Sequence, residues 1–95
     1  MSTCVIGHIS IRDPDKWAEY RKLVPATLLP FHGKVLLRGR RLGVLCGEHP
    51  HTDTVVLEFP DAAAAQGWYR SRAYQTLIPL REQAAEVTLI HFETL

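Results

Sequence analysis

Apolar and β-branched residues concentrate in four stretches that turn-forming residues separate, a pattern typical of strands. The predicted strands cover residues 4–11, 34–38, 54–59 and 86–93. Apolar residues recur at 42–46 after a Gly-containing turn, which predicts a further short strand or a continuation of the second strand past a bend. The remaining stretch before the third strand is polar and indicates a loop.

A first helix is predicted after the first strand. Asp13 followed by Pro14 is typical of a helix start, because an Asp side chain caps the free backbone N–H groups and proline fits the first turn. Apolar residues then recur at three- and four-residue steps, which indicates one buried face. Pro25 is expected to end or kink this helix.

A second helical region is predicted between the third and fourth strands. Asp61 precedes four alanines, which are the strongest helix formers, and Ser71 is expected to end this helix. Residues 74–85 are helical again, with an interruption at Pro79. No repeat, linker or low-complexity tract divides the chain, so residues 1–95 are predicted to form a single domain.

The order of these elements is β-α-β-β-α-β. This order is typical of the ferredoxin-like α+β fold, a four-stranded antiparallel sheet with helices on one face. In such a fold the first and third strands are central neighbours.

The strands are apolar on both faces, whereas a sheet with one solvated face alternates apolar and polar residues. The apolar runs are Val5-Ile6, Val35-Leu36-Leu37, Val55-Val56-Leu57 and Leu89-Ile90. Because the helices cover only one face, we expect a second copy to cover the other, giving a homodimer joined through its sheet faces.

Composition narrows the range of partners. The chain has 11 Lys+Arg against 10 Asp+Glu, a net charge of +1, which argues against a nucleic-acid or membrane partner. Its hydrophobic content of 46% excludes wholesale disorder. No signal peptide or membrane-spanning run is apparent, and the two cysteines form no disulfide framework, so a cytoplasmic protein is expected. Glycine-rich phosphate loops and nucleotide fingerprints are absent, and no cofactor is predicted.

Two polar residues in apolar strands are the candidate catalytic pair. His8 lies within the first strand and Glu58 near the end of the third, so the neighbouring strands are expected to bring them together. A carboxylate beside an imidazole orients the ring, as a general base requires. The alternative is that both are structural residues, solvated or satisfied by the backbone. Arg38 either pairs with Glu58 or binds the carboxylate of a ligand through its planar guanidinium.

Aromatic residues of the helical regions are candidate walls of a ligand pocket. Most of them are expected in the core between helices and sheet, but a Tyr hydroxyl or Trp N–H that reaches a cavity suits a planar ligand. Tyr74 and Arg81 are seven residues apart and form a second pair. The predicted ligand-binding residues are Arg38, Tyr20, Trp68, Tyr74 and Arg81.

Two further motifs do not predict a binding site. His49-Pro50-His51 with Asp53 resembles part of a metal site, but no fourth ligand follows at metal spacing, so no metal is predicted. The basic run 38–41 is short and lacks interleaved aromatic residues, as expected of a solvated turn.

The chain also resembles the DUF1330 family of uncharacterised small proteins along almost its whole length. The resemblance rests on Val5-Ile6-Gly7-His8-Ile9, Asp13-Pro14, Trp17-Ala18-Glu19-Tyr20, Gly33-Lys34-Val35-Leu36-Leu37-Arg38-Gly39, Glu58-Phe59-Pro60-Asp61, Trp68-Tyr69 and Tyr74-Gln75. It implies a dimeric α+β barrel, whose structural relatives include cofactor-free monooxygenases. The family itself implies no activity.

Two functions therefore stay open. The first is a homodimer that binds a small organic molecule between sheet and helices, with cofactor-free acid–base or oxygenase-type chemistry. The second is a non-catalytic small-molecule-binding or interaction module.

Overall fold

A computed structural model describes residues 2–95, which form one four-stranded antiparallel sheet with helices packed on it. The strands are β1 (Thr3–Ile11), β2 (Lys34–Arg40), β3 (Asp53–Phe59) and β4 (Ala85–Glu93). Their order across the sheet is β2-β3-β1-β4, so β1 and β3 are the central neighbours, as predicted.

Four helices and one turn of 3₁₀-helix complete the fold. They are α1 (Pro14–Leu28), the 3₁₀ turn (Leu29–Phe31), α2 (Ala62–Arg70), α3 (Arg72–Gln75) and α4 (Ile78–Ala84). The β-α-β-β-α-β order and the ferredoxin-like class are confirmed. None of these helices, within residues 2–95, is long and apolar enough to cross a membrane.

Side-chain caps fix the predicted helix starts. The Asp13 carboxylate accepts a hydrogen bond from the backbone N–H of Lys16, and Asp61 accepts one from that of Ala64. Each bond satisfies one N–H group that a helix start would leave unpaired. Ser71 ends α2 and caps α3, as its extended backbone allows.

Two prolines lie within helices. Pro25 does not end α1, which continues to Leu28 because Thr27 and Leu28 extend its buried face against the core. That burial offsets the one backbone hydrogen bond that the proline removes. Pro79 does not interrupt a single helix either. It lies in the first turn of α4, where its missing N–H costs nothing, and the break falls before it, at residues 76–77.

The strand predicted at 42–46 is wrong. The last β2–β3 pair is Arg40 with Asp53, so residues 41–52 have no partner strand and form a loop. The side chains of Leu42 and Leu45 are fully exposed. A short apolar run predicts a strand only where a neighbouring strand can take up its backbone hydrogen bonds.

The core lies between the helices and one face of the sheet, and its largest members are aromatic. The ring centroid of Trp68 is 5.5 Å from that of Phe59 and 4.3 Å from that of Tyr74, and all three side chains are buried. Gly33 packs tightly on this cluster, because a Cβ atom there would lie 2.6 Å from Phe59 Cε1.

Residues of β1 alternate strictly between the two faces of the sheet. Val5 and Ile9 are buried towards the helices, whereas Ile6 and His8 lie on the other side, which we call the open face. Beside them the open face exposes apolar side chains, including Leu37 (51% exposed), Ile90 (38%) and Phe92 (43%). One chain therefore leaves an apolar sheet surface in water, as the sequence pattern indicates.

A buried hydrogen bond from Trp68 to Thr27 joins α2 to α1. Thr27→Val keeps the shape of the side chain but leaves the indole N–H, 2.9 Å from Thr27 Oγ1, without an acceptor. We expect the free energy of unfolding in urea to fall by about 1–3 kcal/mol. The control is Thr76→Val on the exposed surface, for which a change below about 0.5 kcal/mol is expected. Equal effects of the two substitutions would contradict a role for the buried bond.

Candidate functional site

A cavity of about 230 Å³ lies between α1 and the sheet. We call it the α1 cavity. Its walls are mainly apolar, with Val35, Val55 and Leu57 from the sheet, and the aromatic side chains of Trp17, Tyr20 and Trp68 close it on the helical side. A cavity with such walls suits a small, partly planar organic molecule.

Charged side chains line the mouth of the α1 cavity. Arg38 and Arg40 come from one face of β2, since they are two residues apart, and Arg21 comes from α1. Asp53, which pairs with Arg40 in the β2–β3 register, is the carboxylate among the lining residues. Three guanidinium groups against one carboxylate make this mouth attractive to an anion.

A chain of hydrogen bonds runs through the core beside this cavity. The Arg81 guanidinium donates from Nη1 to the Tyr74 hydroxyl at 2.9 Å, and the hydroxyl oxygens of Tyr74 and Tyr20 are 2.8 Å apart. When Tyr74 donates to Tyr20, the Tyr20 proton is left for a partner outside this chain of bonds, and Tyr20 lines the α1 cavity.

Burial raises the pKa of Tyr20, and the adjacent Tyr74 raises it further, so Tyr20 is a neutral donor. Burial alone would lower the pKa of Arg81, but its contacts with Tyr74 and Tyr69 outweigh that effect and raise it. Arg81 therefore carries its charge at any physiological pH.

A second cavity of about 380 Å³, the α2 cavity, lies between α2, α4 and strand β4. Trp68, Val87 and Leu89 line both cavities and separate them. Arg81 and His91 supply polar groups to the α2 cavity. The predicted ligand-binding residues are divided between the two cavities. The α1 cavity is lined by Tyr20, Arg38 and Trp68, and the α2 cavity by Arg81 and Trp68. Tyr74 lines neither cavity and is a fully buried core residue.

His8 lies on the open face, in a cluster of three histidines. Its ring centroid is 4.8 Å from that of His49 and 6.4 Å from that of His51. Ser10 Oγ is 2.9 Å from Nδ1 of His51, and Arg41 holds the loop by donating to the carbonyls of both loop histidines. Partial burial lowers the pKa of His8, and the neighbouring imidazoles lower it further.

The expected approach of His8 to Glu58 is wrong. Both lie on the open face, but His8 pairs with Thr54 whereas Glu58 pairs with Cys4. They are four residues apart along the sheet, roughly 13 Å. Glu58 instead forms an ion pair with Lys34, at 3.4 Å between Nζ and Oε1, and Arg38 points to the opposite face.

The histidine cluster is the feature that the sequence alone did not reveal. Thr52 donates its backbone N–H to the Ile9 carbonyl, and this bond brings the end of the 41–52 loop onto β1, next to His8. The histidine cluster could have been predicted from the antiparallel β1–β3 register, because that register places the end of the loop beside β1. Among residues 2–95, no group of three or more His, Cys, Asp or Glu side chains is placed to hold a metal ion.

Residues 2–95 match the sequence model of a family described as Domain of unknown function (DUF1330). The chain belongs to this family. The resemblance of its strand and helix motifs to DUF1330 proteins is thereby confirmed. No curated protein matches the chain significantly.

Solved structures share the fold at low sequence identity. An uncharacterised protein from Rhodopseudomonas palustris, RPA0582, is 19% identical with a TM-score of 0.84, covering 99% of this chain and 82% of its own. A dimeric ferredoxin-like protein of unknown function from a Jannaschia species is 8% identical, with a TM-score of 0.77 and coverage of 99% and 100%. SnoaB, a cofactor-independent oxygenase from Streptomyces nogalater, is 8% identical, with a TM-score of 0.69 and coverage of 99% and 93%.

The lowered pKa of His8 is open to direct measurement. In an NMR titration we expect the His8 ring to take up its proton below the usual value of about 6.5. The unfolded chain binds this proton at a higher pH than the folded chain does. The free energy of unfolding therefore decreases as the pH falls from about 6.5 through the lowered pKa of His8. In His49→Asn the pKa of His8 should rise only part of the way back to its usual value, because burial, the larger cause of the lowered pKa, remains. A His8 midpoint at or above the usual value would contradict the described surroundings.

Proposed function

We propose that this protein binds a small organic molecule in the α1 cavity. The observation that carries the proposal is the cavity itself, about 230 Å³ of space bounded by aromatic and aliphatic side chains and opening between arginines. Space of this kind in a small domain is costly, because filling it would add packing contacts to the core. A ligand that occupies it supplies those contacts.

The polar groups of the cavity indicate what kind of molecule fits. Arg21, Arg38 and Arg40 favour a negative charge near the mouth, and the Tyr20 hydroxyl offers a hydrogen bond from the inner wall. The rest of the lining is apolar. A flat, mainly apolar compound that carries a carboxylate or a conjugated carbonyl oxygen satisfies both parts.

A second candidate function is cofactor-free acid–base or oxygenase-type chemistry. It is favoured by the structural likeness to SnoaB, which is described as a cofactor-independent oxygenase. The predicted base and its orienting carboxylate do not support it in the α1 cavity, because His8 and Glu58 lie across the sheet from it. Binding without turnover is therefore the function that the geometry supports better.

The working unit in this proposal is a homodimer joined through the open faces of the two sheets. An exposed apolar sheet surface is stabilised by a partner that presents the same surface, and a two-fold axis provides this. Three of the similar structures, including the Jannaschia protein, are described as dimeric. The helices are on the opposite side of the sheet, so both α1 cavities stay accessible in such a dimer.

Ligand binding is tested with 2-naphthoate and its neutral analogue 2-naphthamide, followed by the fluorescence of the lining residues Trp17 and Trp68. We expect 2-naphthoate to bind more tightly, because the guanidinium groups at the mouth favour its charge. Val35→Trp places a ring in the cavity and should weaken binding by about tenfold or more.

The matched control is Leu36→Trp, one residue along β2, where the side chain is 54% exposed and lies outside the cavity lining. Circular dichroism confirms that both variants fold. Equal binding by the two variants, or no binding of 2-naphthoate to the native chain, would overturn the proposal. Turnover of a bound compound would favour the second candidate function.

Dimerisation is tested by light scattering at micromolar concentration, where we expect twice the mass of one chain. Ile90→Asp places a charge on the open face and should give monomers, because the charge would have to be desolvated in the interface. Leu23→Asp on α1 is the control, since Leu23 is similarly exposed (44%) but lies on a helix, and should stay dimeric. A monomeric native chain would refute the interface.

A further inference from the structure

We propose that the α2 cavity is a second binding site, specific for a small organic carboxylate that Arg81 holds by its guanidinium group. The proposal is independent of the α1 cavity, which has its own arginines. It rests on the position of Arg81, the charges around it and the apolar floor beneath it.

Arg81 is held in place by the neighbouring tyrosines Tyr74 and Tyr69. Its Nη1 donates to the hydroxyl of Tyr74, which is fully buried and is held in turn by Tyr20. A guanidinium group has five N–H donors in a rigid plane, so the bond to Tyr74 and the contact with Tyr69 orient the group and leave its other donors available. Its position next to Tyr74 keeps it half-buried at the cavity wall.

The charge of Arg81 has no partner in the part of the chain that the structure describes. Lys34–Glu58 is the ion pair found among residues 2–95, and no carboxylate lies within 4.0 Å of the Arg81 guanidinium. A partly desolvated cation without a counter-ion is unfavourable, and an anion that pairs with it removes that cost. Among the arginines of residues 2–95, Arg81 is the half-buried one and the others are exposed, so the missing counter-ion costs most at Arg81.

The other polar groups of the α2 cavity favour an anion as well. Arg70, Gln66 and His91 stand at its rim, and no Asp or Glu lines it. Thr3 donates its hydroxyl proton to the Phe92 carbonyl, so the same oxygen accepts from His91 Nε2 at 2.7 Å. This bond orients the imidazole ring at the edge of the cavity.

Beneath these groups the cavity is apolar. Val5, Ala65, Trp68, Val87 and Leu89 form its floor, and the volume of about 380 Å³ exceeds what one inorganic ion needs. The occupant that fits is therefore a carboxylate with a short hydrocarbon body. Its two oxygens match the parallel N–H groups of the guanidinium, and its body covers the apolar floor.

The probes are hexanoate and its neutral analogue hexanamide, titrated into ¹⁵N-labelled native protein. We expect hexanoate to bind about tenfold more tightly or better, since a hydrogen bond to a charged group is stronger than one to a neutral group. The shifted resonances should include the Arg81 Nε–H group and the backbone amides of Ala65 and His91, which line the α2 cavity and not the α1 cavity. Hexanamide should leave the Arg81 resonance in place.

Two charge variants and two controls complete the test. Arg81→Gln should bind hexanoate no better than hexanamide, and Arg81→Lys should keep part of the preference, because it keeps the charge without the planar pair of donors. Arg72→Gln removes an exposed arginine outside the cavity and should change nothing. In Arg38→Gln, which changes the α1 cavity, the hexanoate-induced shift of the Arg81 Nε–H resonance should persist, and this readout separates the two sites.

Equal binding of the acid and the amide, or a preference that survives Arg81→Gln, would overturn the proposal. Shifts confined to the α1 cavity would overturn it too, while leaving the proposed function standing. If Arg81→Gln does not fold, the response of the Arg81 Nε–H resonance in the native protein decides the question, because it needs no substitution.

Discussion

Trp68 joins the parts of this fold that function requires. Its ring packs on Phe59 of the sheet and on Tyr74 of α3, and its indole N–H bonds to Thr27 on α1. A large aromatic side chain contributes much buried area, and the buried indole N–H needs a hydrogen-bond acceptor at a fixed position. The helices are thereby held at one distance from the sheet. Since Trp68 also forms the wall between the two cavities, the same packing that stabilises the domain sets the shape of its candidate sites.

The fold was predictable because local and long-range signals agree. Asp13 and Asp61 cap helices where they were expected, and the four strands appear in the predicted order. The strand prediction fails at 42–46, and α1 continues past Pro25 to Leu28; both outcomes depend on whether a distant segment is present to pair with or pack against. Composition within a short window carries no information about that partner.

The candidate site was predictable only in part. Tyr20, Arg38 and Trp68 share a cavity, in keeping with the expectation that aromatic residues of the helices and an arginine of β2 meet between sheet and helices. The pairing of His8 with Glu58 failed because neighbouring strands do not ensure neighbouring residues. In an antiparallel pair the register decides which residues meet, and here it places Thr54 beside His8.

The strict alternation along β1 has a consequence for how such a protein can change. Odd-numbered residues from Thr3 to Ile9 face the helices and even-numbered ones face the open side, so each substitution falls on one surface and spares the other. Ligand preference and assembly can therefore drift separately during evolution, one residue at a time. An insertion of a single residue in this strand has no such freedom, because it would exchange the two surfaces at once. The central strand is tolerant of altered chemistry and intolerant of altered length.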